Sequence, residues 1–300
     1  MDAMEWIAVD WGTTNLRAWA MDPADRVLAE AASGQGMSKL TREAFEPALL
    51  DLIDGWLPAG RRTLVVACGM VGARQGWVEA PYAEVPCRPA ARFVSAPARD
   101  ARLDMRVLAG LMQADPPDVM RGEETQIAGV LLDRPNLDGV VCLPGTHAKW
   151  ARVAAGEIHG FQTFMTGELF EFLSTRSVLR HSLGEDGWDD AAFIETVLAT
   201  AAEPQAAMGR LFAIRAASLV SGLAPARARA RLSGILIGAE LAAARPTWAD
   251  RPVTIVGNGR QGRLYAEGLR ALGRPASLVD ATTVTLRGLA SARALMRAPP

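Results

Sequence analysis

The sequence predicts an α/β protein built from two similar halves, and two observations point to that fold class. An order of strand, small-residue turn, strand, strand and helix occurs twice, with the copies about 135 residues apart. Each half also contains a later apolar strand that ends in a glycine-rich turn. With 300 residues, half of them hydrophobic, the chain is long enough to form two hydrophobic cores.

The first half contains apolar and alternating runs that are typical of strands bounded by turns. Its predicted strands cover Trp6–Asp10, Leu16–Asp22, Arg26–Ala31 and Thr63–Cys68. Apolar residues at helical spacing predict one helix over Thr41–Trp56 and another at about Gly122–Leu132. We also expect a helix after the glycine-rich turn Gly69–Gly72. These elements predict an N-terminal lobe over residues 1–135, which we expect to form the substrate side of the site.

The second half repeats this order over residues 136–300. Its predicted strands cover Gly139–Leu143, Lys149–Val153, Glu157–Met165, Pro252–Val256 and Ala276–Val279. Helices are predicted from Leu169 onward and over Leu264–Leu272, with a largely helical insertion at about 175–250. We therefore predict a C-terminal lobe of the same architecture with additional helices.

Charge and composition exclude several classes of protein. Thirty-two basic and 33 acidic residues give a net charge of -1, so no field of one sign attracts nucleic acid or an anionic membrane. Aromatic residues make up only 6%, which argues against a stacking platform for single-stranded nucleic acid. Only two lysines occur, Lys39 and Lys149, and neither stands in a P-loop or in the V-A-I-K strand of a protein kinase. A nucleotide must therefore be bound in another way.

Targeting signals and cysteines predict the compartment. The first residues lack a basic segment followed by an apolar one, so we expect no secretory signal. No run of about 18 apolar residues occurs, so we expect no membrane span and no membrane partner. Cys68, Cys87 and Cys142 are odd in number and widely spaced, which is typical of reduced thiols in a cytoplasmic protein.

The first predicted hairpin combines a carboxylate with small polar residues. Asp10 ends the strand, and Gly12, Thr13, Thr14 and Asn15 form the turn. A carboxylate in this position suits Mg²⁺, which prefers oxygen ligands and keeps part of its hydration shell. Glycine and threonine bring backbone N–H groups and hydroxyls close to phosphate oxygens. The alternative is an ordinary hairpin in which these side chains only satisfy the turn.

The second half repeats this chemistry in the turn Pro144-Gly145-Thr146-His147, with Lys149 two residues further on. Two such turns from two similar lobes predict a grip on the phosphate chain of one nucleotide from both sides. The alternative for His147 is a hydrogen-bonded turn histidine. His159 and His181 are too scattered to form a metal site with it.

The segment Arg121-Gly122-Glu123-Glu124 opens a predicted helix. Adjacent carboxylates at a helix start interact favourably with the helix dipole, which is the structural interpretation. The functional interpretation makes one glutamate the general base that accepts a proton from an attacking hydroxyl. Arg121 would then stabilise charge on the transferred phosphoryl group.

The segment Gly257-Asn258-Gly259-Arg260-Gln261-Gly262 lies between a strand and a helix, and Asp280 follows about 20 residues later. This pattern matches the dinucleotide fingerprint, so an NAD(P)-dependent oxidoreductase is the main alternative function. Only about 20 residues remain after Asp280, too few for a mononucleotide-binding half. We therefore interpret the turn as a nucleoside site, because glycines let the backbone approach a ligand closely.

Residues 69–82 predict an irregular loop rich in glycine and aromatic side chains. Such loops are typical of ligand binding, and Arg74 would pair with a substrate carboxylate. Arg17 and Arg121 are equal candidates for that role. The alternative is a surface loop with Trp77 folded onto the core.

Taken together, these stretches resemble the 2-dehydro-3-deoxygalactonokinase family, within the superfamily of actin, sugar kinases and heat-shock chaperones. The similar stretches are AVDWGTTNLRAW, ACGMVGARQGWVEAPY, VMRGEETQIAG, LPGTHAKW, FMTGEL and GILIGAE. The resemblance implies an α/β fold with two actin-like (ASKHA, ribonuclease H-like) lobes, duplicated mixed-sheet domains and a central cleft. It also implies ATP and Mg²⁺ as cofactors and phosphorylation of the 6-hydroxyl of 2-dehydro-3-deoxy-D-galactonate, a small sugar acid, in galactonate degradation.

The resemblance also assigns roles to residues. Asp10 would hold the metal, and Glu123 is the first choice of base, by similarity to exopolyphosphatases, with Glu124 second and Arg121 beside them. The residues assigned to the nucleotide are Gly12, Thr13, Thr14, Asn15, Gly145, Thr146, His147, Lys149, Gly257, Asn258 and Gly259. The residues assigned to the sugar acid are Arg17, Met70, Gly72, Arg74, Trp77, Thr166 and Glu168.

Two alternative functions stay open at this point. The NAD(P)-dependent oxidoreductase explains only residues 253–280. A polyphosphate or nucleotide hydrolase of the same superfamily would release phosphate without a sugar acid. The sugar-acid kinase explains both turns, the carboxylate pair and the glycine-rich turn together. The preferred sugar acid and the oligomeric state, including a homodimer, are not determined by the sequence.

Overall fold

The computed structural model describes residues 4–184 and 187–297. Fourteen strands lie within these residues: β1 (Trp6–Trp11), β2 (Leu16–Met21), β3 (Val27–Ser33), β4 (Thr63–Gly69), β5 (Ala83–Glu84), β6 (Phe93–Ser95), β7 (Leu103–Leu108), β8 (Leu111–Gln113), β9 (Asp118–Met120), β10 (Gly139–Leu143), β11 (Ala148–Ala154), β12 (Glu157–Phe164), β13 (Val253–Val256) and β14 (Ser277–Val279). The α-helices of the same residues are α1 (Phe45–Ile53), α2 (Glu123–Asp133), α3 (Thr166–Thr175), α4 (Asp190–Ala202), α5 (Ala207–Ser221), α6 (Pro225–Ala243), α7 (Arg245–Trp248), α8 (Gly259–Ala271) and α9 (Ala281–Arg297).

The two large sheets have the same internal order, which confirms the predicted duplication. One sheet runs β3-β2-β1-β4-β7-β6 and the other β12-β11-β10-β13-β14, while β5-β8-β9 form a small third sheet. In the first sheet β1 is antiparallel to β2 and parallel to β4. In the second, β10 is likewise antiparallel to β11 and parallel to β13. Both sheets are therefore mixed, as in an actin-like α/β fold.

The chain divides into two compact units. The first contains the described residues up to Leu137, Ala154–Gly160 and the described residues from Ala281 onward, and the second contains Asp138–Val153 and Phe161–Asp280. The sequence-based division after residue 135 differs from this because it assigned α9 to the second lobe. In the structure α9 packs on α2, so closely that a Cβ at Gly129 or Gly288 would stand 1.9 Å from a backbone carbonyl oxygen of the other helix.

The core of the first unit lies on both faces of its large sheet. Along β1, Ile7, Val9 and Trp11 join one hydrophobic cluster with α1, and Trp6 and Ala8 join another with α2 and α9. This alternation follows from the period of two in a strand. Because helices cover both faces, β1 is apolar at nearly every position until Asp10.

The core of the second unit surrounds β10, β11 and β13 and is covered by α4, α6 and α8. It contains one buried carboxylate, Glu240, which accepts hydrogen bonds from Trp150 Nε1 and Tyr265 Oη, each at 2.7 Å. Burial raises the pKa of Glu240 above its usual range. The helices of the predicted insertion are α4 to α7.

Two predictions about elements are wrong. No α-helix follows the turn at residues 69–72 within the described part of the first unit until α2, because Pro81, Pro86, Pro89 and Pro97 interrupt the segment. The chain forms a short 3₁₀ turn, Met70–Gly72, and then β5 to β9 instead. The helix predicted over residues 41–56 is confined to Phe45–Ile53 and is flanked by 3₁₀ turns.

No helix among residues 4–184 and 187–297 combines the length and the apolar character needed to cross a lipid bilayer.

Candidate active site

Asp10 lies near the carboxyl end of the central strand of the first sheet. It is opposite Arg17 of β2 on one side and Cys68 of β4 on the other. Its Oδ2 accepts a hydrogen bond from Arg17 Nη2 at 2.5 Å, and its side chain is 19% exposed. The sequence assigned Arg17 to the sugar acid, but in this structure its guanidinium is committed to Asp10 and to Thr282.

The turn after Asp10 is fixed by the segment that follows β3. The carbonyl oxygens of Gly12, Thr13 and Thr14 accept hydrogen bonds from the N–H groups of residues 36–38, at 3.0 to 3.1 Å. The Gly12 N–H donates to the Asn15 carbonyl and closes the turn. The carbonyl groups of the turn are therefore engaged within the protein, while its polar residues Thr13, Thr14 and Asn15 are exposed.

The two adjacent glutamates at the start of α2 have different environments. Glu124 is fully buried, and its oxygens accept hydrogen bonds from the Gly122 N–H at 2.7 Å and the Thr125 hydroxyl at 3.0 Å. Burial and the neighbouring charge of Glu123 raise the pKa of Glu124 to about 7. Glu123 is only partly buried and accepts a hydrogen bond from the Arg121 N–H at 3.1 Å. Of the two, only Glu123 is partly exposed, and a general base must be accessible to the hydroxyl from which it takes a proton.

Gly69 brings the ends of β1, β4 and α2 together. Its φ is +91°, and a Cβ there would stand 2.6 Å from the Trp11 carbonyl oxygen. A Cβ at Gly122 would in turn stand 3.3 Å from the Gly69 Cα. The pKa of the intervening Cys68 thiol is raised, first by burial and then by the charges of Asp10 and Glu124. The charges of Asp10 and Glu124 therefore both act on Cys68, and the start of α2 lies against the end of β4.

Arg121 contacts the glycine-rich loop of the same unit. Its Nη2 donates to the Ala80 carbonyl at 2.7 Å, and its guanidinium carbon lies 4.3 Å from the centre of the Tyr82 ring. Within the described residues its Nε and Nη1 are buried without a hydrogen-bond partner. Gly72 makes room for it, since a Cβ there would approach Nη1 to 2.8 Å. In this structure the guanidinium is therefore enclosed by the loop, and its two unpaired donors are not open to a ligand.

The loop residues assigned to the sugar acid are not equivalent. Trp77 is 5% exposed, lies edge-on to Trp11 and donates from Nε1 to the Pro97 carbonyl at 3.0 Å. This burial favours the alternative interpretation, in which Trp77 belongs to the core. Met70 is partly exposed, and Arg74 is exposed at the surface.

The second turn lies in the second unit and is held by its own neighbours. His147 Nε2 and Glu168 Oε2 are 2.5 Å apart, and the Glu168 N–H donates to the Thr146 carbonyl at 3.0 Å. Lys149 is 4% exposed and donates from Nζ to the His147 carbonyl at 3.3 Å. His147 therefore is a hydrogen-bonded turn histidine, as in the alternative interpretation. Glu168, assigned to the sugar acid, contacts this turn.

The glycine-rich segment before α8 connects to that turn. Asn258 is the N-cap residue, and Gly259 begins the helix with a φ of +66°. The helix starts five residues before the predicted Leu264. The sequence pattern missed this start because the first residues of the helix are exposed and none of them is a large apolar residue. Gln261 Nε2 donates to the Gly145 carbonyl at 3.1 Å. Gly257 and Gly145 thus border one region of the second unit.

A cavity of about 320 Å³ opens in that region. Its walls come from α3, α6, α8, the second turn and Trp188. The lining residues are Thr146, Thr166, Gly167, Phe170, Trp188, Arg229, Ser233, Leu236, Ile237, Arg260, Gln261, Leu264 and Tyr265. The guanidinium of Arg260 lies 3.7 Å from the centre of the Trp188 ring, and that of Arg229 lies 5.2 Å from Phe170. The volume and the stacked planar groups suit a nucleoside.

Sequence reasoning missed most of this cavity. Arg260 and Gln261 were inside a recognised motif, but no role was given to them. The spacing of Arg229, Ser233 and Ile237 at every fourth residue was the available signal for one helix face. Thr166, assigned to the sugar acid, lines the cavity, and its hydroxyl is hydrogen-bonded to Glu240.

The donor groups present fit a nucleotide that carries its own Mg²⁺. No group of three or more histidine, cysteine, aspartate or glutamate side chains suited to a metal occurs in the described parts of the chain. Asp10 is a single, partly exposed carboxylate. Mg²⁺ is usually held by one or two carboxylates together with substrate phosphates and water, so one aspartate is sufficient.

A mixed α/β sheet that occurs twice, with a glycine-threonine turn after the first strand of each copy, defines an actin-like protein. Comparison with known proteins gives the family within that class. Residues 10–292 match the family described as 2-keto-3-deoxy-galactonokinase, and the chain belongs to this family.

Individual relatives agree with this assignment. The probable 2-dehydro-3-deoxygalactonokinase of Rhizobium meliloti strain 1021 is 41% identical, over 96% of both chains. The 2-dehydro-3-deoxygalactonokinase of Escherichia coli strain K12 is 32% identical, over 95% of this chain and 96% of its own. A crystallised candidate 2-dehydro-3-deoxygalactonokinase from Sinorhizobium meliloti has a TM-score of 0.90 at 41% identity, covering 98% of this chain and 100% of its own. The predicted family is confirmed, and it favours a kinase over an oxidoreductase or a hydrolase.

Proposed function

We propose that this chain transfers a phosphoryl group from ATP to the 6-hydroxyl of 2-dehydro-3-deoxygalactonate in the cytoplasm. The names of its curated relatives support the substrate. The observation that carries the proposal is the pair of unequal glutamates near Asp10. One carboxylate is partly exposed and can reach a hydroxyl, and the other is buried and holds it in position.

In this proposal Glu123 accepts the proton of the attacking 6-hydroxyl. Glu124 acts through position, because its bonds to the Gly122 N–H and the Thr125 hydroxyl fix the first turn of α2. Arg121, whose backbone N–H bonds Glu123, contributes its positive charge beside the glutamates and stabilises negative charge on the transferred phosphoryl group. Phosphoryl transfer depends mainly on such positioning and on positive charge near the phosphates.

The second unit supplies the adenosine site. The cavity beside α8 holds the base and ribose, and the Trp188–Arg260 pair provides a flat surface for the purine. The turn at Thr146, which lines this cavity, offers its hydroxyl and N–H groups to the phosphates. When bound, Mg²⁺ would be held by Asp10 and would screen the charge of the phosphates.

An ADP-release screen over a panel of 2-keto-3-deoxy sugar acids and ordinary sugars tests the proposal. We expect Mg²⁺-dependent ADP release with 2-dehydro-3-deoxygalactonate and almost no ADP release without an acceptor. Equal phosphate release in the absence of any sugar acid would favour the hydrolase. Reduction of NAD(P) by a sugar acid would favour the oxidoreductase, and the kinase would then be rejected.

A further inference from the structure

One side of helix α5 is an apolar surface that the described chain does not cover. The inward side of this helix packs through Ile214, which is 2% exposed, into a small hydrophobic cluster with Leu179 and Leu232. On the outward side the large side chains are exposed by 79% at Met208, 65% at Phe212, 67% at Leu219 and 86% at Val220. Together with the small residues between them they form what we name the α5 face: Met208, Gly209, Phe212, Ala213, Ala216, Leu219 and Val220.

The α5 face contains no polar side chain. At 100° per residue its seven positions fall within one arc of about 140°, and no other residue of the helix lies in that arc. The polar side chains of α5 point elsewhere and are engaged. Arg210 pairs with Glu203 at 2.8 Å, and Arg215 donates to the Ser182 hydroxyl at 3.2 Å.

The α5 face is large for a single apolar surface. From their exposed fractions, its four large residues present roughly 600 Å², which is the upper end of the range of about 300–600 Å² for the largest apolar patch of a monomer, and such patches are often functional. Each partner of a standard protein interface buries about 800 Å². The α5 face therefore provides most of the area that one side of a stable dimer needs.

We propose that the α5 face is a self-association surface, against which a second copy of this chain packs its own α5 face across a two-fold axis. A surface without charge meets its own copy without the like-charge repulsion that a face with charges of one sign would suffer. Gly209, Ala213 and Ala216 form a row of small residues beside the large ones, so two helices can approach closely. Two-fold dimers with the same patch on both subunits are the commonest oligomers.

This surface is separate from the groups used in the proposed function. No residue of α5 lines the cavity beside α8, and none belongs to either phosphate turn. The inference therefore stands or falls without the kinase assignment.

Sedimentation of the full-length protein over about two orders of magnitude in concentration tests the proposal. We expect a reversible dimer. Phe212→Glu should raise the dissociation constant of the dimer by at least about 100-fold, because the two-fold symmetry places two like charges in the core of the interface. Val220→Lys, at the most exposed position of the face, should act in the same direction without affecting folding.

Leu295→Glu is the matched control, because Leu295 is a 53% exposed leucine on α9 of the first unit. It should leave the dimer unchanged, and cooperative urea unfolding of all three variants reports an intact fold. A wild-type chain that is monomeric throughout, or a dimer unaffected by both charges on the α5 face, would overturn the proposal. So would a monomer that binds phosphatidylcholine vesicles through Phe212, since the face would then serve a membrane.

Discussion

At the scale of single residues, neighbouring side chains of one type have different chemistry because of burial. Glu123 and Glu124 are adjacent, and the sequence pattern allowed either of them to be the general base. Only the family resemblance favoured Glu123. In the structure Glu124 is inside the protein with both oxygens satisfied, and Glu123 reaches the surface. A helix rotates by 100° per residue, so two consecutive positions face different surroundings.

The raised pKa of Glu124 predicts a pH dependence of stability. Its pKa is 4.5 in an ordinary environment and about 7 in the folded chain. Between these values the unfolded state loses the proton first, so the free energy of unfolding falls as pH rises through this window. The loss amounts to about 3 kcal/mol and is complete above pH 7.

Glu124→Gln tests this dependence, because glutamine keeps the shape and cannot ionise. In urea unfolding from pH 5 to pH 8, the wild type should lose stability relative to the variant as pH increases. Glu171→Gln serves as the control, because Glu171 is an exposed glutamate of α3 and is not among the groups that shift the pKa of Glu124. Parallel pH profiles for the wild type and Glu124→Gln would show that Glu124 does not titrate in this range.

Asp10→Asn tests the carboxylate at the end of β1. We expect kcat to fall by at least about 100-fold with the fold intact, because the charge that would hold a metal beside the phosphates is removed. The measurement is ADP release at saturating ATP, Mg²⁺ and sugar acid. Asp104→Asn is a matched control, since Asp104 also lies in the first sheet and pairs with an arginine, Arg106, at 3.0 Å. Near-normal turnover of Asp10→Asn would remove Asp10 from the mechanism.

At the scale of elements, strands were predicted better than helices and loops. The first three strands of each half are found within a few residues of their predicted positions, because alternation and apolar runs are local signals. The start of α8 and the strands β5 to β9 were missed. The exposed first turn of α8 and the two- or three-residue strands β5, β6, β8 and β9 carry no periodic pattern. The six-residue β7 does alternate between buried and partly buried positions, so the signal for that strand was present in the sequence.

The contact between α2 and α9 predicts the effect of one methyl group. Gly288→Ala would place a Cβ 1.9 Å from the Thr125 carbonyl oxygen, so the helices must separate or bend. We expect a loss of about 3 kcal/mol in the free energy of unfolding. Because Thr125 also bonds Glu124, kcat should decrease as well.

Urea unfolding of Gly288→Ala and of a control measures this effect. Gly55→Ala is the control, because nothing lies within 4 Å of the Cβ position there and its backbone needs no glycine. It should change stability by less than about 0.5 kcal/mol. Equal stability of the two variants would show that the helices adjust to the extra methyl group without cost.

At the scale of the whole molecule, the last helix of the chain, α9, belongs to the first unit. Helix α9 buries Leu289 and Ala292 against the first sheet. Arg293 is 4% exposed, pairs with Asp25 at 2.6 Å and lies 5.2 Å from the Trp6 ring. The first unit therefore depends on residues almost 300 positions away from its first strand.

Truncation after Asp280 should consequently unfold the first unit. We expect loss of the near-ultraviolet circular dichroism of its tryptophans and loss of cooperative urea unfolding, because one face of the sheet is exposed to water. Leu295→Glu, which changes only the outer side of α9, should behave like the wild type. A truncated chain with unchanged cooperativity would mean that α9 contributes little to the core.

The sequence by itself determined the α/β class, the duplicated order of elements, the position of both glycine-threonine turns and the family. Each of these is carried by residues close together in the chain, where local periodicity and short motifs suffice. Only the tertiary structure decided that α9 belongs to the first unit, that Trp77 is core, and that Glu124 is buried while Glu123 is not. It also assembled the cavity of Trp188, Arg229 and Arg260. These depend on contacts between residues distant in sequence, which burial and packing select and no local pattern records.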